Sequence, residues 1–147
     1  MRKILIIGGG AMGSAFTFPC IDNKNEVTIT EPYNKTFIKN LSSKKKYHSS
    51  LKINLPKKIK YKKYSTDLLK NKYDLVVVAL SLSGINFISE EFKKSNIKSP
   101  ILILTKGLKY EKKKQKNPIQ KKCSDHTFAG HNEDRGTSWV VILGWLS

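Results

Sequence analysis

The chain has 147 residues, enough for one domain with a sizeable core and too few for two full-sized domains. Its formal net charge of +17 suggests a nucleic-acid or membrane-surface partner. However, only Arg2 and Arg135 among the 28 basic residues are arginine, the side chain that best grips phosphates and bases. We therefore expect no specific nucleic-acid partner.

Hydropathy and cysteine content restrict where the protein acts. The sequence has no apolar run near the roughly 20 residues that span a bilayer, so we expect no membrane insertion. Near the N-terminus only four aliphatic residues precede a glycine cluster, which is too few for a secretion signal. Cys20 and Cys123 lie far apart in sequence and give no disulfide framework. We expect a cytoplasmic protein.

The first motif is a glycine turn that follows a short aliphatic run, Ile4 to Ile7. The run predicts a buried strand, and Gly8, Gly10 and Gly13 follow it in the spacing G-x-G-x-x-G of dinucleotide-binding turns. In such a turn the first glycine permits a tight bend, and the second lets backbone amides approach a diphosphate. The third lets the next helix press against the strand.

A helix is expected directly after the glycine turn. Its N-terminal amides, including those of Ala11 and Met12, would hold the diphosphate. Helical spacing predicts one face that packs on the sheet, formed by Met12, Ala15, Phe16, Pro19 and Cys20. Pro19 predicts a bend or an early end of the helix, because proline removes a hydrogen bond and crowds the preceding turn.

The second strand is predicted at Glu26 to Thr30, and an acidic residue ends it. Glu31 lies 23 residues after Gly8, the separation at which a carboxylate binds the adenosine ribose hydroxyls and repels a 2′-phosphate. This favours NAD over NADP as the cofactor, although Lys35 is close enough to soften the discrimination. The alternative is a solvated glutamate that merely ends a strand.

Strands and helices are then expected to alternate. Asn34 can cap a short helix that carries Phe37, Ile38 and Leu41 inward. After a lysine-rich stretch, the predicted elements are an edge strand at Ile59 to Tyr61, a helix at Ser65 to Lys70, a strand at Asp74 to Leu80, a helix at Ser83 to Lys94 and a strand at Ile101 to Leu104. Such alternation predicts an α/β fold with a doubly wound parallel sheet, Rossmann-like, whose ligands lie beyond the carboxyl ends of the strands.

With these residues in view, the chain resembles the N-terminal half of NAD(P)-dependent glycerol-3-phosphate dehydrogenase. The matching pieces are IIGGGAMGSA, EVTITE, HSSLKINLP (His48 to Pro56), VVVAL and TKGL (Thr105 to Leu108). The resemblance implies reversible hydride transfer between glycerol 3-phosphate and dihydroxyacetone phosphate, which supplies phospholipid precursors. It also implies a small phosphorylated three-carbon substrate and, for a full-length protein, a possible homodimer.

The resemblance further implies two site residues at the carboxyl edge of the sheet. Lys106 of TKGL would reach the active site, where its ammonium could attract a phosphate or polarise a carbonyl. Ser81 stands where the family usually carries a proline, and it would lie against the nicotinamide. The alternative for Lys106 is one surface lysine among many.

Departures from the family pattern concentrate after Leu108. Residues 1–110 are expected to form the dinucleotide-binding core, and residues 111–147 a divergent basic tail with a possible last strand. The segment from Ala129 looks like a damaged G-P-x-x-A-x-E element, with His131 in place of proline. The helical substrate domain, which carries the principal catalytic lysine in the family, is expected to be absent, so the chain alone would have weak or no turnover.

Other kinds of site receive little support from the sequence. Cys123, His126 and His131 lack a convincing fourth ligand, so we expect no metal site. Two alternative functions stay open. One is another dehydrogenase with a similar first domain, of the ketopantoate reductase type, and the other is a stand-alone NAD-binding module without catalysis.

Overall fold

A computed structural model describes residues 1–43, 46–106, 127–132 and 137–144 of the chain. The strands are β1 (Lys3–Ile7), β2 (Glu26–Thr30), β3 (Tyr47–His48), β4 (Ile53–Asn54), β5 (Lys60–Tyr61), β6 (Leu75–Val78), β7 (Ile101–Lys106), β8 (Thr127–Asn132) and β9 (Thr137–Gly144). The helices are α1 (Ala11–Asp22), α2 (Lys35–Leu41), α3 (Thr66–Leu69) and α4 (Leu82–Ser95). All the elements predicted up to Leu104 are present, with bounds shifted by no more than two residues.

The main sheet has seven strands in the order β5-β2-β1-β6-β7-β9-β8. The five strands from β5 to β7 are parallel, whereas β9 runs antiparallel to both β7 and β8. A separate small hairpin pairs β3 with β4. The predicted doubly wound parallel sheet is confirmed, and the carboxyl ends of β1, β2, β6 and β7 lie along one edge.

Aliphatic strands separate two apolar layers, one on each face of the sheet. On one face Leu5, Ile7 and Val78 pack with α3 and α4 residues such as Leu69 and Ile88. On the other face the alternate strand residues pack with α1, with Leu41 of α2 and with the segment around Ile59; they are Ile4, Ile6, Val27, Ile29 and Val77. Because both faces of the central strands are covered, these strands are aliphatic throughout.

The buried face of α1 differs from the predicted one. The residues that α1 buries are Gly13, Ser14, Thr17 and Cys20, whereas Met12, Ala15 and Pro19 are exposed and Phe16 is half-buried. The prediction counted apolar side chains, but this helix lies so close to the sheet that small residues fill the contact. The predicted early end at Pro19 is also wrong, since α1 continues to Asp22.

The caps of the other helices follow from local chemistry. Asn34 caps α2 as predicted, because its side-chain oxygen accepts a hydrogen bond from the Phe37 amide at 2.9 Å. Helix α4 ends at Asn96, which adopts a left-handed conformation (φ 48°) suited to that residue type. Among the residues that the structure describes, none of the helices is both long and apolar enough to cross a membrane.

A buried carboxylate ties α4 to α3. Glu91 is only 7% exposed and accepts hydrogen bonds from Thr66 Oγ1 at 2.5 Å, from Lys94 Nζ at 3.1 Å and from the Tyr64 hydroxyl at 3.3 Å. The Thr66 hydrogen bond, ahead of those from Lys94 and Tyr64, lowers the pKa of Glu91. Burial, followed by the Glu91 charge, raises the pKa of Tyr64, which stays protonated as a donor.

Glu91 therefore predicts acid-sensitive stability. Because its folded-state pKa lies below its unfolded value of about 4.3, its contribution is present above that pH and is lost as the pH falls through the folded pKa. At pH 7 we expect Glu91→Gln to lower the free energy of unfolding by about 1.5–3 kcal/mol, the range for hydrogen bonds to a charged group. Urea unfolding at pH 7 and below pH 4 measures this difference, which should shrink in acid; an equal loss at both pH values would contradict the assignment.

Candidate functional site

The site is built around the turn that joins β1 to α1. Gly8 has φ of 112°, and a Cβ there would lie 2.4 Å from the carbonyl oxygen of Ala79, at the end of β6. Side chains rarely adopt this backbone conformation, so the residue must be glycine. The Gly8 amide donates to the carbonyl of Thr30 at 2.8 Å, which fixes the turn to the end of β2.

Gly13 sets the distance between α1 and β1. A Cβ at this position would stand 1.9 Å from the Gly8 carbonyl oxygen and 3.1 Å from the Ala79 Cβ. Helix and turn thus touch through backbone atoms. This is the close-packing role that the sequence predicts for the third glycine of the turn.

The N-terminus of α1 faces open space. Gly10 is the N-cap residue, and a Cβ on it would have no neighbouring atom within 4 Å among residues 1–43, 46–106, 127–132 and 137–144. Gly10, Ala11 and Met12 are exposed, and α1 has no side-chain cap and no acidic residue in its first turn. The amides of a first helical turn have no partner inside the helix and carry a partial positive charge. The arrangement therefore suits an anion such as a diphosphate.

Glu31 lies beside this open turn. Its two carboxylate oxygens accept hydrogen bonds from the Gly9 amide at 2.8 Å and from the Tyr33 amide at 2.9 Å. Glu31 is half-buried and therefore still reaches solvent. The structure thus brings Glu31 to the glycine turn, as its position at the end of β2 predicts. It also gives the carboxylate a second task, holding the turn, that the sequence did not indicate.

Gly9, which is not one of the fingerprint glycines, is also constrained. A Cβ on Gly9 would lie 2.0 Å from Cε1 of Phe37, so the Phe37 ring covers the turn from the side of α2. The Gly9 carbonyl accepts a hydrogen bond from Ser14 Oγ at 2.9 Å. The sequence predicted that Phe37 points inward; it contained no signal that Phe37 meets Gly9.

Three aromatic rings form a cluster along the same edge, which the sequence analysis missed. The Tyr33 and Tyr64 rings each lie 5.6 Å from the Phe87 ring, and Tyr33 also contacts the position of Gly84 in the first turn of α4. Tyr33 is 56% exposed and Phe87 37% exposed. Flat apolar faces next to Glu31 suit a planar heterocycle. A tyrosine two residues after the strand-ending acid is the signal that could have indicated this.

Ser81 and Lys106 occupy the strand ends where the sequence places them. Ser81 is the exposed N-cap residue of α4, and its hydroxyl lies 2.8 Å from that of Ser83. Lys106 is the last residue of β7, whose backbone pairs with β9 opposite Trp139. Both backbones thus lie at the edge that carries the glycine turn, and their predicted roles remain predictions.

Several residues singled out in the sequence lie outside the described part of the chain. Cys123, His126 and the basic stretch from Lys109 to Lys122 are among them, whereas His131 is placed by its backbone in β8. Within residues 1–43 and 46–106, no three His, Cys, Asp or Glu side chains come together as a metal site would require. Cys20, the other of the two cysteines in the sequence, is buried in α1, and burial raises the pKa of its thiol.

Comparison with known families decides the affiliation. Residues 3–128 match the model of the NAD-dependent glycerol-3-phosphate dehydrogenase N-terminus. The chain belongs to this family. The match covers most of the chain and includes the glycine turn, Glu31, Ser81 and Lys106, so the resemblance noted in the sequence is confirmed. No curated protein sequence gives a significant match to this chain.

Solved structures with similar folds support the α/β architecture of this family member. Glycerol-3-phosphate dehydrogenase from Coxiella burnetii has a TM-score of 0.62 at 16% identity, over 73% of this chain and 33% of that chain. D-mandelate dehydrogenase with NADH and anilino(oxo)acetate gives 0.58 at 20%, over 81% and 36%. A putative methyltransferase from Thermoplasma acidophilum gives 0.54 at 11%, over 99% and 69%. These identities support the fold alone, and the chain spans about a third of the two dehydrogenases.

Proposed function

We propose that the chain is the coenzyme-binding part of an NAD-dependent oxidoreductase that interconverts glycerol 3-phosphate and dihydroxyacetone phosphate, and so supplies glycerophospholipid precursors. The observation that carries this proposal is the open N-terminus of α1 beside Glu31, within a chain of the glycerol-3-phosphate dehydrogenase family. A cytoplasmic location and a homodimer of the full-length protein are part of the same proposal.

The residues present fit a nicotinamide dinucleotide. Within 4 Å of a Cβ built on Gly10 the described residues place no other atom, so a diphosphate can approach the amides of Gly10, Ala11 and Met12. Glu31 can accept hydrogen bonds from the ribose hydroxyls with the lone pairs that Gly9 and Tyr33 leave free. When bound, NAD supplies a hydride acceptor at its nicotinamide ring.

The strand ends beyond β6 and β7 are the proposed substrate side. Ser81 would border the nicotinamide, and the Lys106 ammonium would attract the substrate phosphate or polarise its carbonyl. The family resemblance assigns the principal catalytic lysine to a substrate domain beyond the matched residues. We therefore expect the residues matched here to bind the coenzyme.

Glu31 should set the preference for NADH over NADPH. We expect the wild-type chain to bind NADH more tightly, because the carboxylate repels a 2′-phosphate. Glu31→Ser should lower the ratio of the dissociation constant for NADPH to that for NADH at least tenfold, which is about 1.4 kcal/mol. Isothermal titration with both nucleotides measures the ratio. Comparing the ratio, rather than either affinity, removes the common effect of losing the Gly9 and Tyr33 hydrogen bonds.

Two control variants make the Glu31 test specific. Glu26→Ser alters the opposite end of β2, where Glu26 pairs with Lys60 on the surface, and should leave the ratio unchanged. Glu31→Gln retains the side-chain shape and loses the charge, so it should shift the ratio in the same direction as serine. An unchanged ratio in both Glu31 variants would overturn the proposed role in discrimination.

The proposed substrate is tested with the intact protein. Oxidation of NADH in the presence of dihydroxyacetone phosphate, followed at 340 nm, is the expected activity. Turnover of a keto acid instead of this ketone phosphate would favour another dehydrogenase with a similar first domain. NADH binding with no turnover of either class would favour a stand-alone NAD-binding module.

A further inference from the structure

His48 is the one histidine in residues 46–106, and it is buried beneath the glycine turn. It lies in β3 and is only 2% exposed. Its Nε2 is 3.1 Å from the Gly9 carbonyl oxygen, 39 residues away in sequence. The Leu51 amide donates to its Nδ1 at 3.1 Å, and the Phe37 ring meets its edge at 5.2 Å. The imidazole thus connects the β3–β4 hairpin to the turn.

These contacts define which ring nitrogen carries the proton. Because the Leu51 amide donates to Nδ1, that nitrogen is the acceptor. The hydrogen of neutral imidazole therefore resides on Nε2, which donates to the Gly9 carbonyl. The hairpin backbone selects this tautomer, and the tautomer supplies the hydrogen bond to the turn.

The peptide unit that joins Gly9 to Gly10 is held from the protein side. Two donors, His48 Nε2 and Ser14 Oγ, converge on the Gly9 carbonyl. In a trans peptide the carbonyl and the following N–H point in opposite directions, and no cis peptide occurs among the described residues. With the Gly9 carbonyl drawn inward, the Gly10 N–H is directed outward, toward the open space above α1.

We propose that His48 is a positioning residue that aims the Gly10 amide at the coenzyme diphosphate; this inference rests on the proposed function. Most other residues of the hairpin that carries His48 are exposed, with Tyr47 at 48% and Ile53 at 40%. A purely packing residue at position 48 would need no polar atom. Instead, an interior polar ring has each nitrogen matched to one backbone group, one of them in the turn itself.

The test compares two substitutions at position 48 with a change elsewhere in the same segment. His48→Leu removes the donor and retains bulk, whereas His48→Gln keeps an N–H donor at a similar distance from the backbone. Leu55→Ala is the matched control, because Leu55 is 3% exposed, follows β4 and belongs to the core on the α1 face. The readouts are the dissociation constant for NADH and the amide resonance of Gly10 in the ligand-free chain.

We expect His48→Leu to weaken NADH binding about tenfold, which is about 1.4 kcal/mol and lies within the range of one hydrogen bond. His48→Gln should restore most of the affinity, and Leu55→Ala should lower the thermal midpoint while leaving the affinity nearly unchanged. The Gly10 amide resonance should move in His48→Leu and stay in Leu55→Ala. The inference is overturned if His48→Leu and Leu55→Ala weaken binding equally, or if the glutamine variant binds no better than the leucine variant.

The two proposals fail in different ways. A wild-type chain that is folded and binds no NADH refutes the proposed function. The change in the Gly10 amide resonance between wild type and His48→Leu then still tests whether His48 orients this amide. If His48→Leu does not fold, the comparison of His48→Gln with Ser14→Ala remains, since Ser14→Ala removes the other donor to the same carbonyl. Ser14→Ala should then bind NADH more weakly than His48→Gln; the reverse order counts against the inference.

Discussion

Gly13→Ala is expected to destabilise the domain by about 2–3 kcal/mol, the cost of overpacking a closely fitted contact. The sign is informative, because alanine in place of glycine inside a helix ordinarily stabilises it by about 1 kcal/mol. Here the new methyl would lie 1.9 Å from the Gly8 carbonyl oxygen. That oxygen belongs to the strained turn, where φ is 112°, so it has little freedom to withdraw.

Two other glycines serve as controls for Gly13→Ala. A Cβ at Gly84 would lie 3.0 Å from Leu80 Cβ and 3.1 Å from the Tyr33 ring, and a Cβ at Gly10 would meet no atom within 4 Å in the part of the chain that the structure describes. The free energy of unfolding, measured in urea, should therefore fall most for Gly13→Ala, less for Gly84→Ala and least for Gly10→Ala. A Gly13→Ala variant as stable as the wild type would show that α1 does not contact the turn as described.

Gly10→Val is expected to lower the affinity for NADH while leaving folding intact, whereas Gly13→Ala is expected to lower stability. Gly10 has φ −63° and ψ −176°, a conformation open to any residue, and its side-chain direction is unobstructed. Stability should change by about 1 kcal/mol or less, the scale of N-cap substitutions. The valine would occupy the approach to the α1 amides, so affinity for NADH should fall about 100-fold, or roughly 2.7 kcal/mol.

Calorimetry and thermal unfolding of the same Gly10→Val sample separate the two effects. Gly10→Ala is the graded control, because one methyl group blocks less of the approach and should cost less affinity than valine. Full NADH affinity in a folded Gly10→Val variant would place the diphosphate elsewhere. The proposed function would then lose the observation that carries it.

Much of the fold could be predicted because the strong signals are local. Runs such as Ile4–Ile7 and Leu75–Val78 are aliphatic on both faces, which is what a covered parallel strand requires. The spacing of Gly8, Gly10 and Gly13 predicted a turn and a close helix contact, and the geometry at Gly8 and Gly13 agrees. Glu31 was predictable because the end of β2 lies beside the end of β1.

The packing of α1 could not be predicted from hydropathy. Apolar spacing selected Met12, Ala15 and Pro19 as the inward face, yet the helix buries Gly13, Ser14 and Thr17. The distance between helix and sheet decides this, and that distance is set by a backbone contact. Side-chain hydrophobicity carries no information about it.

Contacts between residues far apart in sequence could not be predicted from the sequence either. His48 belongs to a lysine-rich stretch, and nothing near it in sequence points to Gly9. Likewise the Phe37 ring occupies the space where Gly9 would carry a side chain. Only the three-dimensional placement of α2 and the β3–β4 hairpin brings these groups to the turn.

The short outer strand β5 gives some of the many lysines a purpose that requires no ligand. It is two residues long, and Lys57, Lys58, Lys60, Lys62 and Lys63 around it are all exposed. An edge strand has unpaired backbone N–H and C=O groups that can pair with a strand of another molecule, and dense positive charge repels the same edge strand of a second copy. The sheet is thereby kept from growing from one molecule into the next, so part of this basic character guards against aggregation.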